Sequence, residues 1–413
     1  MAARKRPAAV LDAVHATTIQ GSASCSKRSC TTSIGSTDEY DQISRIGEGG
    51  FAVVYKARHC VTGKTVAVKC LSLPDDTEEP PDDAEAEAEL LREARFLETC
   101  SGNPYVVGFE GLVRDPTNGD LFLAMEYVPA PSLQTFLWGR RHGPPLPENE
   151  VRSFMWKLLS GAKMMHDRRV VHRDIKPANI LVGQGGELVK ICDLGLAISK
   201  SEPPPYTQAG TAWYIAPEML LGKTDYDARV DTWSLGCVMA EMLTGKPLFL
   251  CEDDDEDEEI DEEIKDEILQ LRSIFRVLGM PDKRTWPGLR SLPLTAKALQ
   301  LLPAEHKRSS LRDIFPEEKL SKEGFEVLQG LLTCNPNKRL TAAKALKLPW
   351  FIAPCPAAAP KIDIDPSLVV PPRKKTPRIK FIPPAVPEKI VRIDLHRTRA
   401  QRLWHDSLTS SAP

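Results

Sequence analysis

Asp174, Lys176 and Asn179 lie close together in His172-Arg173-Asp174-Ile175-Lys176-Pro177-Ala178-Asn179, and Asp193 follows in Lys190-Ile191-Cys192-Asp193-Leu194-Gly195. Between the two stretches, the apolar run Ile180-Leu181-Val182 and a Gly-rich turn read as a β-hairpin, so the polar groups sit on two short loops that one hairpin joins. Two carboxylates, a lysine and an amide so placed can hold a divalent metal on a nucleotide and accept a proton from an incoming hydroxyl. Phosphoryl transfer needs those two capabilities.

Other elements must bring a nucleotide to those loops. From Tyr40 the pattern is that of strands: Ile43-Ser44-Arg45, then Ile46-Gly47-Glu48-Gly49-Gly50-Phe51-Ala52-Val53-Val54-Tyr55-Lys56-Ala57, then Thr65-Val66-Ala67-Val68-Lys69. Glycine between β-branched runs predicts a hairpin whose tip has no side chains to block a phosphate; on its own Gly-x-Gly is equally an ordinary turn. Lys69 strengthens the phosphate reading, because a lysine ending a strand about 20 residues later can reach under such a hairpin. An acid- and proline-rich linker, residues 74–83, precedes an Ala-, Leu- and charge-rich stretch from Ala84 to Cys100 that predicts a helix of about four turns. Val106-Val107 and Leu121 to Val128 read as two further strands. Residues 148–167 carry an apolar stripe (Val151, Phe154, Leu158, Ala162, Met165) that predicts a helix beneath the Asp174 loop.

The 413 residues suffice for a two-lobed domain of about 300 residues plus tails. Lys+Arg 54 and Asp+Glu 57 nearly cancel to a net charge of -3, so bulk charge makes no case for a nucleic-acid partner. Ten scattered cysteines without a C-x-x-C pair suit a reducing compartment. No apolar run approaches the ~20 residues of a membrane span, and Asp12 and His15 interrupt the N-terminal Ala/Val stretch, so no membrane partner is expected. The chain reads as intracellular, in the nucleus and/or cytoplasm.

Taken in order, residues 40 to 352 resemble a eukaryotic protein kinase. The fold this implies is α+β and bilobal: a small, mainly β N-lobe at about 39–128 and a larger, mainly α C-lobe at about 129–352, with ATP in the cleft. By that resemblance Asp174 orients the substrate hydroxyl and accepts its proton, and Lys176 steadies the γ-phosphate and disfavours tyrosine as acceptor. Asn179 and Asp193 hold Mg2+, and Lys69, fixed by Glu93, holds the α/β-phosphates. Glu85, Glu87, Glu89 and Glu98 share the Glu93 helix, so the alternative is one more solvated acid; the position of Arg92-Glu93 before Phe96-Leu97 favours Glu93. Met125-Glu126-Tyr127-Val128 resembles the gatekeeper and hinge, where backbone near Glu126 and Val128 meets adenine, with Val54, Ala67 and Leu181 sandwiching the ring. Without the motifs these would read as core aliphatics.

The run Gly210-Thr211-Ala212-Trp213-Tyr214-Ile215-Ala216-Pro217-Glu218 resembles the end of an activation segment, with Thr207 its candidate phosphosite and Arg92 and Arg173 the expected partners of that phosphate. Glu218 is expected to pair with Arg339, and Asp231 to brace the Asp174 loop. Glu267 to Pro281, with Trp286-Pro287-Gly288, resembles the C-lobe of cyclin-dependent kinases in the CMGC group, and plant type-F kinases, which activate other cyclin-dependent kinases, are a candidate relative.

The sequence departs from that group at five places. Gly50-Phe51 replaces its inhibitory Thr-Tyr pair, so that brake is expected to be missing. Glu87 to Glu93 is not the cyclin-binding signature, which argues against a cyclin partner. Ile198 replaces an arginine that binds the activation-segment phosphate, Ile215 one that shapes preference for proline after the target residue, and Leu194 the usual Phe of the metal turn, keeping its apolar contact.

The expected function is transfer of the ATP γ-phosphate to Ser/Thr of a protein substrate, with other cyclin-dependent kinases or the transcription machinery as targets. The alternative is a catalytically weak kinase-fold scaffold, which intact Lys69, Asp174 and Asp193 argue against. Residues 1–38 read as a disordered arm, whose Arg and Ser also fit a transit peptide. The acidic insertion 252–263 reads as a solvated loop or a dock for basic substrates. Residues 353–413 read as a Pro-rich tail whose basic cluster Arg373-Lys374-Lys375 fits nuclear import.

Overall fold

Alternation along Ala52–His59 buries Val53, Tyr55 and Ala57 and leaves Val54 and Lys56 half-buried, the period of two that a strand between two different environments requires. The computed structural model describes residues 34–48, 52–71, 83–140, 144–183, 186–250, 264–301 and 308–352. The hairpin-tip residues Gly49, Gly50 and Phe51, the insertion 252–263 and the tail 353–413 lie outside the described residues.

A six-stranded sheet is ordered β1-β5-β6-β4-β3-β2, from β1 (Gly35–Ser36), β2 (Tyr40–Glu48), β3 (Ala52–His59), β4 (Thr65–Leu71), β5 (Phe109–Arg114) and β6 (Leu121–Glu126). Its edge strand β1 runs parallel to β5 and falls within the stretch assigned to the N-terminal arm. One expected strand is displaced. Val106 and Val107 are buried beneath the sheet, Val106 bridging to Ile191, and the strand proper begins at Phe109. Two adjacent valines carry no period, and here both are needed as core.

Helix α1 (Asp83–Thr99) packs Leu90, Ala94, Phe96 and Leu97 under β5 and β6. After α2 (Leu133–Gly139), helix α3 spans Glu148–Asp167, starting after Pro147 with Glu148 and Glu150 in its first turn, where acids favour the helix dipole. Its apolar stripe is wholly buried against α5 (Arg229–Thr244), most of which lies in the core and which ends at Gly245 in the left-handed region (φ 78°). The short helix α4 (Pro217–Leu220) packs against α6 (Lys265–Leu278), and α7 to α11 (Thr295–Leu301, Leu311–Ile314, Lys322–Leu331, Ala342–Ala345, Pro349–Ile352) follow. Two small sheets flank the polar loops: β7 (Val170–Val171) pairs with β10 (Ile198–Ser199), and β8 (Ile180–Val182) with β9 (Val189–Ile191). The loop bearing Asp174 runs from β7 to β8 and the turn bearing Asp193 from β9 to β10, so the β8–β9 hairpin holds both. No helix among the described residues is long and apolar enough to cross a membrane.

Candidate active site

Lys69 reaches from β4 across the cleft, and its Nζ lies 2.8 Å from Glu93 Oε2 on α1 and 2.8 Å from Asp193 Oδ1. Burial alone would depress the ammonium, but the two carboxylates outweigh it and hold it above its ordinary range. One cation cannot satisfy two anions equally. Burial prevails at Glu93, 3 % exposed, and raises its carboxyl, whereas at Asp193 the pull of Lys69 overcomes desolvation and lowers it.

Asp174 is held from three sides. Thr211 Oγ1 donates to its Oδ1 at 2.9 Å, Asn179 Nδ2 to its Oδ2 at 3.0 Å, and Lys176 Nζ lies 2.9 Å from the same oxygen. Lys176 also donates to Thr211 Oγ1 at 2.7 Å, closing a ring of polar groups around the carboxylate. A turn of 3-10 helix at Pro177–Asn179 projects Asn179 inward. Beneath the loop the buried Asp231 accepts from the backbone N–H of His172 (3.0 Å) and Arg173 (2.9 Å) and lies 2.8 Å from His166 Nε2. Burial would raise Asp231, but the His166 hydrogen bond and the loop amides bring it down. Arg173 and Asp193 both adopt positive φ (71° and 65°), backbone that non-glycine residues hold only when their surroundings dictate it.

Sheet register decides which predicted nucleotide contacts face the cleft. Val54 pairs with Lys69 and Ala67 with Met125, so all four side chains share the cleft face. Val53 pairs with Cys70 on the opposite face, and only its backbone is available to the site. Ile46 falls in a bulge of β2 and is 45 % exposed, Gly47 pairs with Val54, and Leu181 lies half-buried on the floor. Ala52 and Glu48 end their strands at the hairpin tip. At the hinge the Glu126 N–H is engaged by Gly108 O at 2.9 Å, while no hydrogen bond among the described residues takes the Val128 N–H.

The donor set suits magnesium carried by a phosphate. No trio of His, Cys, Asp or Glu among the described residues could cage a metal, whereas Asp193 keeps 45 % of its side chain exposed. Asn179 spends its amide N–H on Asp174, which leaves its oxygen as donor. A carboxylate and an amide oxygen are the hard ligands Mg2+ accepts when waters and phosphates supply the rest. Beside Asp193, burial, aided by that carboxylate, pushes the Cys192 thiol up to about 12 and keeps it neutral.

Below the site Glu218 and Arg339 form the expected pair, with two hydrogen bonds of 2.7 and 2.6 Å. Leu194 is fully buried, and Ile198 and Ile215 are buried too. Thr207 is exposed, and the described side-chain hydrogen bonds of Arg173 and Arg92 go to backbone carbonyls and the Tyr226 hydroxyl. Sequence reasoning missed two groups. Thr211 is 37 residues from Asp174 and carries no local signal beyond being a hydroxyl beside Gly210. Lys190, 64 residues from Glu126, meets it at 2.9 Å, and Glu126 also caps the Gly108 N–H at 2.9 Å, tying hinge to hairpin.

The family profile of the protein kinase domain matches residues 40–351. The chain is similar to a protein of Oryza sativa subsp. japonica assigned as a cyclin-dependent kinase F-2, at 43 % identity over 320 residues, covering 76 % of this chain and 90 % of that one. It is also similar to cyclin-dependent kinase G1 of Arabidopsis thaliana (37 % over 326 residues, 76 % and 49 %) and to human cyclin-dependent kinase 20 (35 % over 344 residues, 82 % and 91 %).

Proposed function

The chain belongs to the protein kinase family, in its cyclin-dependent-kinase-like branch, and on that premise we propose that it phosphorylates protein Ser/Thr with Mg2+ and without needing a cyclin to set α1. The observation that carries this reading is the closed Lys69–Glu93 pair, with α1 tied to other segments of the chain and Asp193 and Asp174 both in place. Further ties hold α1 against the rest of the chain: Glu87 to Arg114 on β5 at 2.6 Å, Arg92 to Ala197 O at 2.7 Å and Arg95 to Glu202 at 3.3 Å.

In the reaction, Asp174 orients the acceptor hydroxyl and takes its proton, and its ring of Thr211, Asn179 and Lys176 fixes its direction beforehand. Positioning carries most of the barrier reduction in a loose phosphoryl transition state. Lys176 neutralises charge developing on the transferred group, and Lys69 binds the remaining phosphates. Asn179 and Asp193 would hold magnesium, which would supply Lewis-acid neutralisation of phosphate charge. Cleft-face Val54, Ala67, Met125 and Leu181 exclude water around the base, and the Val128 N–H offers it a donor.

Other cyclin-dependent kinases or the transcription machinery are the proposed substrates, resting on the likeness to an F-type kinase. Nucleus and/or cytoplasm is the proposed location, resting on Arg373-Lys374-Lys375. The test is labelled phosphate transfer by the purified chain, alone and with added cyclin, onto a peptide library and an inactive cyclin-dependent kinase, with Asp193→Ala as control. Transfer without cyclin that vanishes in the control is expected, and the library reads whether Ile215 has relaxed selection for proline. ATP binding with no transfer under any condition overturns the reading in favour of a scaffold.

A further inference from the structure

The arginine partners expected for a phosphate on Thr207 are already engaged by neutral groups. Arg173, 7 % exposed, donates from Nε to Leu196 O at 2.6 Å and from Nη1 to Thr207 O and Tyr226 Oη, both at 2.9 Å. The Tyr226 hydroxyl donates in turn to Thr207 O at 2.6 Å, so guanidinium, phenol and carbonyl form a closed triangle. Tyr226 is 2 % exposed, its ring 5.5 Å from that of Tyr206. Lys200 ties the same corner, donating to Tyr226 O at 2.9 Å and lying 4.3 Å from the centre of the Tyr206 ring. Arg92 donates to Ala197 O, and Ile198 packs as an apolar residue at 4 % exposure.

The backbone confirms how tightly the segment is seated. Gly210 has φ 117°, and a Cβ there would lie 2.6 Å from Arg173 O, so the segment crosses the Asp174 loop at a distance only glycine allows. One residue on, Thr211 enters the polar ring around Asp174. The Thr207 side chain, meanwhile, is exposed to solvent.

We infer that Tyr226 is a positioning residue that locks the activation segment onto Arg173 through the Thr207 carbonyl, so that the segment is ordered and the enzyme competent without phosphate on Thr207. The inference rests on the kinase reading for its catalytic consequence, but not for the ordering itself. Without the phenol hydroxyl the Thr207 carbonyl and one guanidinium N–H lose a buried partner, the segment loosens between Lys200 and Gly210, and Thr211 no longer fixes Asp174. A hydrogen bond to a charged group is among the stronger ones in a protein, so the effect is expected to be large.

The test uses the full chain, treated with a broad protein phosphatase and shown by intact mass to carry no phosphate, beside Tyr226→Phe. The dephosphorylated chain is expected to keep its kcat within about twofold. Tyr226→Phe is expected to lose about tenfold in kcat, with the KM for ATP within about twofold, and to speed hydrogen exchange over residues 201–211 by about tenfold or more. A kcat that collapses on dephosphorylation overturns the inference, as does Tyr226→Phe with unchanged exchange. If no form transfers phosphate, the kinase reading fails by itself, and exchange over 201–211 still decides the lock: faster in Tyr226→Phe supports it, unchanged refutes it.

Discussion

Arg339 and Glu218 meet through two hydrogen bonds, at 0 % and 1 % side-chain exposure, with Arg229, Thr333 and Cys334 carbonyls taking further guanidinium N–H groups. Lys69, by contrast, divides one ammonium between Glu93 and Asp193 in a cleft where Asp193 keeps 45 % of its side chain exposed. The first pair is balanced in charge and in hydrogen bonds, and it ties α4 to the segment before α10. The second carries one anion too many, an imbalance that a divalent cation beside Asp193 would redress. Buried charge that is matched serves the fold; buried charge that is left unmatched beside an opening serves a ligand.

Variants can break or sharpen that contrast. The largest effect is expected from Asp193→Ala, which should lower phosphate transfer by about 10³-fold or more; because Lys69 depresses the Asp193 pKa in the fold, its ionised form stabilises the chain at neutral pH, and the thermal midpoint should fall modestly. A large loss of stability would put the cleft in the same class as the Arg339 pair. Arg339→Ala leaves Glu218 as an unpaired buried charge and should destabilise the chain by about 3–5 kcal/mol in denaturant unfolding. A loss under about 1 kcal/mol would show that the pair is not what holds the activation segment down.

Acid should separate the balanced carboxylates from the surplus one. Asp231 has its folded pKa depressed, so it contributes stability that is complete above the ordinary carboxylate range and is lost as pH falls through the lowered value. Stability should therefore decline as pH falls below the ordinary carboxylate range, and Asp231→Asn should flatten that limb. Glu93, raised, has the opposite sign: its contribution is fullest below its ordinary pKa and declines as pH rises through the raised value. Glu93→Gln should therefore leave stability at neutral pH unchanged or improved while transfer falls. The smallest effect belongs to the half-buried Lys190–Glu126 pair, where Lys190→Met should shift the KM for ATP by about two- to fivefold at nearly constant kcat.

Asp174, Lys176, Asn179 and Asp193 were legible because their chemistry requires them at short, ordered spacings along the chain, and α3 because its burial follows a single period. The Lys69–Glu93 pair was legible at a longer distance because a strand end and a helix face each announced one partner. Val53 was assigned to the nucleotide with its neighbours, and only sheet register places it on the other face. Val106-Val107 lacked the alternation that distinguishes strand from core.

By itself, then, the sequence carried the ordered motifs whose resemblance to protein kinases implied the family and the two-lobed α+β architecture, and it named the residues proposed to carry the chemistry. Tertiary structure alone decided that Thr211 closes the ring around Asp174, that Lys190 holds the hinge and that Tyr226 occupies Arg173. Each of these is a contact between segments 37 to 64 residues apart, made by side chains of ordinary type, and nothing short of folding tells a hydroxyl or an ammonium which distant partner it will meet.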